Sequence, residues 1–280
     1  MLKKYSIFAI VFVSYSISCL AQKKVLYKQI DTVRLFIEIH APENVMARDK
    51  HPALVFFFGG GWKGGDRYHF LNHARYFSQR GLVCFLVDYR TEGQHGTTPF
   101  EALKDAKSSI RFIRKKAPEF GIDASKIIAA GGSAGGHLAA ATALIEDFND
   151  ETDDMSISCV PNALALFNPV VDNGPGGYGH ERIGLAYKDF SPLHNIQKGA
   201  PPTLFFLGTN DKLIPVATAQ YYQTVMENVG SSCTLKLYEG EGHGFFNYRN
   251  RDLYKETVLE MDHFLQSLGY LEQNPVIEID

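Results

Sequence analysis

The sequence predicts an α/β fold: a doubly wound, mostly parallel sheet that carries helices on both faces and two antiparallel strands at its start. Short apolar runs, typical of buried strands, alternate along the chain with segments of helical periodicity. The length of 280 residues suits one large domain. No internal repeat and no linker divides the chain. A single α/β domain is therefore expected rather than two smaller ones.

The first predicted strands, 24–30 and 33–40, are expected to pair antiparallel. The second alternates apolar and polar residues, as a half-exposed strand does. Segments 53–58 and 82–87 are unbroken apolar runs, which is typical of strands covered on both faces. A helix is predicted between them over 68–80, where a glycine ends it.

The next helix has a clear start. Thr98 can cap it, Pro99 occupies a position whose N–H needs no partner, and Glu101 completes a capping box. Apolar residues recur at helical spacing up to the proline at position 118. The basic residues of this helix are predicted to form its solvated face: Lys104, Lys107, Arg111 and Arg114.

The remaining elements continue the alternation. Strands are predicted over 126–130, 163–167, 203–207 and 233–238, and helices over 134–145, 216–229 and 252–268. A glycine-rich insertion, 172–198, interrupts this order. An insertion at the strand ends is either a lid over a site or a tolerated surface loop, and we favour the lid.

Residues 1–21 predict a secretory signal peptide. Lys3 and Lys4 precede an apolar run that is too short to span a bilayer, and the segment ends in small residues. Cleavage after Ala21 would leave a mature domain of residues 22–280 in a secreted or periplasmic protein. A lipoprotein anchor at Cys19 and a buried first strand are the less favoured alternatives.

Charge and cysteine content exclude several classes of protein. The net charge of −3 becomes −5 once the two lysines of the signal segment are removed, so nothing indicates binding of nucleic acid or an anionic membrane. The mature chain keeps Cys84, Cys159 and Cys233, an odd number without C-x-x-C spacing. Neither a disulfide framework nor a metal site is expected.

The chemistry is predicted to centre on Gly131-Gly132-Ser133-Ala134-Gly135, a G-x-S-x-G motif between a predicted strand and a predicted helix. A turn from strand directly into helix crowds the backbone. Glycines on both sides remove the Cβ atoms that would clash, so a strained serine can stand exposed at the apex. The helix N-terminus behind Ser133 offers free N–H groups to a developing negative charge. The motif alone can also mark a tight helix–sheet contact, but its context favours a nucleophile.

A serine nucleophile needs a base and a group that orients the base. Asp211 follows the predicted strand 203–207, and His243 follows the next strand. The carboxyl ends of parallel strands meet at one edge of the sheet, and the order Ser, Asp, His fits three successive strand ends. We therefore predict a Ser133–Asp211–His243 triad. His137, one turn after the serine, is expected to be a packed helix residue rather than the base.

These motifs resemble the α/β-hydrolase superfamily, in its esterase/lipase branch with an HGGG-type oxyanion loop, and most of all secreted bacterial carbohydrate acetyl esterases. The resemblance runs from about residue 50 to the end of the last helix. It rests on FFFGGGW (56–62), GGSAGGHLAA (131–140), SPLHNI (191–196), GTNDKLIPV (208–216) and EGHGF (241–245). It implies an oxyanion hole formed by the N–H of Ala134 with that of Gly60 or Gly61. Phe58 stands where that branch usually has histidine, so another group must support the loop.

Aromatic residues near the glycine loops and in the insertion are predicted either to wall the substrate pocket or to belong to the core. They are Trp62, Tyr178, His180, Phe245 and Phe246. Asp88 and Arg90 are expected to form a structural ion pair near the site.

The predicted function is hydrolysis of short acyl esters, acetyl first, on carbohydrate or other small substrates through an acyl-enzyme, without cofactor or metal. A serine peptidase or feruloyl-type esterase could use the same triad. A nucleotide-binding oxidoreductase could use Gly59–Gly64 as G-x-G-x-x-G and Asp88 as the ribose-binding acid, but it would leave the triad without a role. A carbohydrate-binding relative without activity would be expected to lack a triad member. The oligomeric state is not predicted.

Overall fold

The computed structural model describes residues 22–46, 48–273 and 279, so the predicted signal segment lies outside the described residues. Its strands form one eight-stranded sheet in the order β1-β2-β4-β3-β5-β6-β7-β8. β1 and β2 pair antiparallel, β2 pairs antiparallel with β4, and the other neighbours are parallel. The strands are β1 (Gln22–Ile30), β2 (Val33–His40), β3 (His51–Phe57), β4 (Val83–Val87), β5 (Ile122–Gly132), β6 (Ala163–Phe167), β7 (Thr203–Gly208) and β8 (Cys233–Tyr238).

Helices cover both faces of this sheet, which confirms the predicted fold class. They are α1 (Leu71–Gln79), α2 (Glu92–His95), α3 (Pro99–Lys115), α4 (Ala117–Phe120), α5 (Ala134–Leu144), α6 (His180–Ile183), α7 (Tyr187–Phe190), α8 (Val216–Asn228) and α9 (Arg251–Ser267). Short 3₁₀ turns lie at Arg67–Phe70, Gly184–Ala186 and Pro192–Asn195. Buried residues of α3, α5 and α8 share one core with the sheet, and those of α1 and α9 share the other.

The central strands divide their side chains between the two cores. In β3, Ala53, Val55 and Phe57 belong to the α3/α5/α8 core, whereas Leu54 and Phe56 belong to the α1/α9 core. Side chains of a strand alternate between its two faces, so an unbroken apolar run buries both. Because β3 to β8 pair parallel and in register near their carboxyl ends, these ends lie at one edge of the sheet, where the loops that follow them meet.

Two boundaries differ from the predicted ones. β5 begins at Ile122, because Ile122 already pairs with His51 of β3 across an irregular register. The segment predicted as one helix over 68–80 is a 3₁₀ turn followed by α1. Asp66 caps the turn by accepting a hydrogen bond from the Tyr68 N–H. The capping box at Thr98 and Glu101 is present as predicted.

The basic face of α3 was predicted to be solvated, and this prediction is wrong for Lys107 and Arg111. Both are buried, with 0% and 6% of their surface exposed. The Lys107 ammonium donates to the carbonyl oxygens of Ile145, Glu146 and Asp147, which follow the C-terminus of α5. A cation suits a helix C-terminus, where carbonyl groups lack partners within the helix. Lys107 therefore ties α3 to α5, the helix that follows Ser133.

The ion pair predicted between Asp88 and Arg90 is also wrong. Asp88 accepts hydrogen bonds from Arg67 on both carboxylate oxygens at 2.8 Å. Arg90 forms a two-point ion pair with Asp105, which is fully buried. Because Asp88 is bound in this way, it is not free to serve as the ribose-binding acid of a nucleotide site.

Cys84, Cys159 and Cys233 are buried free thiols. Burial raises the pKa of Cys84 well above its ordinary value and that of Cys233 to about 12. In the described part of the chain, no helix is long and apolar enough to cross a membrane. Those residues also contain no cluster of three or more histidine, cysteine or acidic side chains that could hold a metal ion.

We expect Lys107→Met to lower the free energy of unfolding by about 2 kcal/mol. The substitution removes a charge-assisted donor from three carbonyl groups and leaves the buried carbonyl of Ile145 without a hydrogen bond. Chemical denaturation would measure this change. Lys104→Met is the matched control, since Lys104 lies on the same helix, is partly exposed and should change stability by less than about 0.5 kcal/mol. Equal effects of the two substitutions would contradict the assigned role.

His73 of α1 generates a pH prediction. Its ring is 1% exposed among Phe70, Phe167 and Tyr254, and neither ring nitrogen has a hydrogen-bond partner among the described residues. Burial, with a smaller contribution from the nearby His69, lowers the pKa of His73 to about 3. A histidine in the unfolded chain has a pKa of about 6.5. Its contribution to stability is therefore complete above that pH and falls as the pH drops towards 3.

Between pH 7 and pH 5, we expect the free energy of unfolding of the wild-type protein to fall by about 2 kcal/mol more than that of His73→Leu. Urea unfolding at the two pH values would measure it. The exposed His263 of α9 provides the control, because His263→Leu should not change the pH dependence in this way. A constant difference for His73→Leu would show that the buried ring accepts a proton in the folded protein.

Candidate active site

The turn from β5 into α5 holds Ser133 in the strained conformation that the motif predicts. Its backbone has φ 54° and ψ −120°, which is unusual for a residue with a Cβ. The flanking glycines make the turn possible. A Cβ on Gly131 would lie 2.3 Å from the carbonyl oxygen of Gly135, and a Cβ on Gly135 would lie 2.1 Å from that of Phe57. Any larger residue would move the helix away from β3.

Asp211 and His243 meet in the loops that follow β7 and β8. His243 donates from Nδ1 to Asp211 Oδ2 over 2.7 Å, so its Nε2 carries a lone pair. The Asp211 side chain is 1% exposed and also accepts hydrogen bonds from the N–H groups of Leu213 and Ile214. Burial acts to raise the pKa of Asp211, but these hydrogen bonds outweigh it, and the pKa lies below its ordinary value. Asp211 is therefore ionised at neutral pH.

Ser133 and His243 line the same cavity, whose volume is about 250 Å³. The structure thus brings the three residues of the predicted triad to one edge of the sheet. Among the described residues, no hydrogen bond joins the Ser133 hydroxyl to the imidazole. Such hydrogen bonds are often long in an enzyme without substrate and shorten when substrate binds.

The loop after β3 supplies backbone donors beside Ser133. Gly60 and Gly61 line the cavity and have φ values of 132° and 62°, which favour glycine. The Lys63 N–H closes the turn by donating to the Gly60 carbonyl over 3.0 Å. Within the described residues, the N–H groups of Gly60, Gly61 and Ala134 have no acceptor. All three predicted oxyanion-hole donors are therefore available.

His69 supports this loop in place of the histidine that Phe58 replaces. Its Nδ1 accepts a hydrogen bond from the Gly59 N–H over 3.0 Å, so Nε2 carries the proton and donates to Asn247 Oδ1 over 2.6 Å. Burial, which outweighs the hydrogen bond with Asn247, lowers the pKa of His69 and keeps its ring neutral. Phe58 itself stacks on Tyr89 with ring centres 3.9 Å apart.

Of the residues predicted as pocket walls, Tyr178 and Phe246 line the cavity. Trp62 does not: it is 1% exposed and packs against His137 and Phe190. His180 hydrogen-bonds through Nδ1 to the Asn173 carbonyl, and Phe245 is buried against Tyr238. These three aromatic residues therefore support the walls of the site without forming part of its surface.

The insertion is packed onto the nucleophile helix. His137 is fully buried and donates from Nε2 to the Phe190 carbonyl over 2.9 Å, so it is a packed helix residue as predicted. Arg182 donates to the Gly61 carbonyl over 2.6 Å, which ties the insertion to the oxyanion loop. Tyr178 contributes the wall of the cavity on this side. In this structure the insertion therefore forms one wall of the cavity, and its predicted role as a lid stays a prediction.

Two cavity residues had no signal in the sequence: His69 and Asn247. His69 lies in a helical segment and Asn247 in a loop, and neither belongs to a recognisable motif. Asn168 follows the predicted strand 163–167, where a single polar residue indicates no particular role. The hydrogen bonds that link these residues to the site span long stretches of sequence, up to 178 residues between His69 and Asn247.

Comparison with known proteins adds to this geometry. The BD-FAE family model matches residues 37–173, and the dienelactone hydrolase family model matches residues 163–273. Esterase LipC of Mycobacterium tuberculosis is 31% identical over 69% of this chain and 53% of its own length. The acetylxylan esterase of Xylanibacter ruminicola is 27% identical over 73% of this chain and 42% of its own length.

The chain spans about half the length of the curated relatives that it matches. A solved structure matches throughout. Esterase 2 of Thermogutta terrifontis superimposes with a TM-score of 0.87 at 38% sequence identity, over 94% of this chain and 100% of that one. With this likeness over the full length of an esterase, the chain belongs to the α/β-hydrolase esterases.

Proposed function

We propose that this protein is a serine esterase that hydrolyses small carboxylic esters through an acyl-enzyme. Ser133 Oγ attacks the ester carbonyl, His243 Nε2 takes its proton, and ionised Asp211 stabilises the resulting imidazolium. The N–H of Ala134 and that of Gly60 or Gly61 hold the oxyanion. One such donor typically contributes about 3 kcal/mol to transition-state stabilisation. The observation that carries this proposal is the hydrogen bond from His243 to a buried carboxylate, in a cavity that Ser133 also lines.

Short acyl groups suit the dimensions of the site. Its volume of about 250 Å³ lies below the range of about 300 to 1,000 Å³ that is usual for drug-sized ligands. Tyr178, Leu213 and Phe246 give it apolar surface for a small acyl chain. The structures of Thermogutta terrifontis esterase 2 include forms with propionate and with butyrate bound, which supports acyl groups of this size.

We propose acetylated carbohydrate as the natural substrate class, with acetyl as the preferred acyl group. The likeness to an acetylxylan esterase supports this choice. The signal peptide predicted for residues 1–21 fits it as well, because polymeric carbohydrate lies outside the cell. Export to the periplasm or the medium, with cleavage after Ala21, is part of the same proposal.

A panel of nitrophenyl esters from acetate to octanoate, assayed beside acetylated xylan and a feruloyl ester, tests the proposal. We expect kcat/KM to be highest from acetate to butyrate and to fall at least about tenfold at octanoate, because the longer chain exceeds the cavity. Ser133→Ala should lower turnover by at least about 10⁴-fold. Circular dichroism should show an unchanged fold. Undiminished turnover by this variant would end the proposal, and a preference for the feruloyl ester would overturn its acetyl specificity.

The support of the oxyanion loop can be tested at His69. His69→Phe removes the acceptor of the Gly59 N–H and should lower kcat about tenfold with little change in KM, because the loop donors act mainly in the transition state. His69→Gln is the matched control, since its amide can both accept from Gly59 and donate to Asn247. If both variants lose activity equally, or neither does, the hydrogen bonds of His69 do not position the loop.

A further inference from the structure

Asn168 lies at the end of β6, in an unusual conformation and hydrogen-bonded to β7 and to the loop that follows β8. It is 1% exposed, it lines the cavity, and its φ is 35°. Asparagine is among the few residues that adopt positive φ readily. Its backbone N–H donates to the Phe206 carbonyl, and the carbonyl of the preceding Phe167 accepts from the Ser133 N–H. This short segment is therefore fixed by hydrogen bonds to two strand ends.

The side chain of Asn168 is oriented by the loop that carries His243. Asn168 Oδ1 accepts a hydrogen bond from the Gly244 N–H over 2.9 Å, which determines which end of the amide is oxygen. The Nδ2 amide group then faces His243 Nε2 at 3.4 Å. Nδ1 of that ring donates to Asp211, so the lone pair that must receive the Ser133 proton faces an amide N–H.

We infer that Asn168 is a positioning residue of this site: its amide holds the His243 loop and presents an N–H to the Nε2 lone pair, so that the ring keeps the tautomer and orientation needed to exchange a proton with Ser133. The inference rests on the proposed esterase function. It assigns a role to a residue outside the triad and the oxyanion hole.

The role follows from the proton transfers. As Ser133 Oγ bonds to the ester carbon, its proton moves to Nε2 and the carbonyl π electrons move to the oxyanion. When the carbon–oxygen bond to the alcohol breaks, the Nε2 proton passes to the departing oxygen. Asn168 Nδ2 can donate but cannot accept, so it favours the ring with a free lone pair and disfavours the protonated one. The contact therefore lowers the proton affinity of Nε2, which favours release of the proton to the leaving group and keeps the resting ring in the neutral form that can accept the Ser133 proton.

Asn168→Asp tests this arrangement with a side chain of the same shape. The new Oδ1 can still accept from Gly244, whereas Oδ2 places a carboxylate beside Nε2. An opposite charge at this range raises the pKa of an imidazole by about 1 unit or more. The acid limb of the kcat/KM profile should therefore move up by about one pH unit or more. The other ionisable groups against His243 are Asp211 and His69, and this variant leaves both in place.

Leu213→Asp is the matched control, because it adds a charge to the same cavity at a residue that is 42% exposed, where solvent screens the charge. A shift confined to Asn168→Asp supports the inference. An unchanged profile, or an equal shift in the two variants, overturns it.

Asn168→Gly is a second test, since glycine accepts the positive φ. It should lower kcat about tenfold with little change in KM, and wild-type kcat in this variant would also overturn the inference.

An NMR titration of the His243 ring separates this inference from the proposed function. Ser133→Ala carrying Asn168→Asp is compared with Ser133→Ala alone, and His243→Gln identifies the resonance. We expect the same upward shift without turnover. If the wild-type chain hydrolyses no ester but the shift is present, the esterase proposal fails and the contact stands. If esters are hydrolysed and the shift is absent, the contact fails alone.

Discussion

The close approach of α5 to the end of β3 is the constraint on which the site depends. Gly135 lies so near the carbonyls of Phe57 and Phe58 that a Cβ would be 2.1 Å and 2.3 Å from their oxygens. This contact places the first turn of the helix, with its free N–H groups, directly beside the loop that starts at Gly59. No side chain separates the backbone of α5 from the end of β3. Ser133, the N–H of Ala134 and the N–H groups of Gly60 and Gly61 can therefore lie close together.

Hydrogen bonds between loops then fix the remaining geometry. Asp211 orients His243, Asn168 binds the backbone after His243, and His69 links the oxyanion loop to Asn247. Each bond joins loops that follow different elements, so the site is held by contacts across the strand ends rather than within one segment. Groups that are already in place before substrate binds need little reorganisation during the reaction. Such preorganisation is the source of most electrostatic stabilisation of transition states.

The sequence predicts the parts of this protein that local chemistry determines. The alternation of strands and helices, the capping box at Thr98 and the strained turn at Ser133 each have a short-range cause, and the fold class is confirmed. Lys107 is different, because its acceptors follow another helix about 40 residues away and a lysine on a helix is solvated by default. Trp62 illustrates a second limit: an aromatic residue after a glycine loop carries no periodicity that distinguishes core from pocket.

The burial of the thiols has a consequence for disulfide formation. The reactive form of cysteine is the thiolate, and burial disfavours that form at Cys84 and Cys233. Cys159 is also buried and unpaired. The folded domain thus offers oxidants no accessible thiol in its described part, and disulfide formation there would require the chain to unfold first.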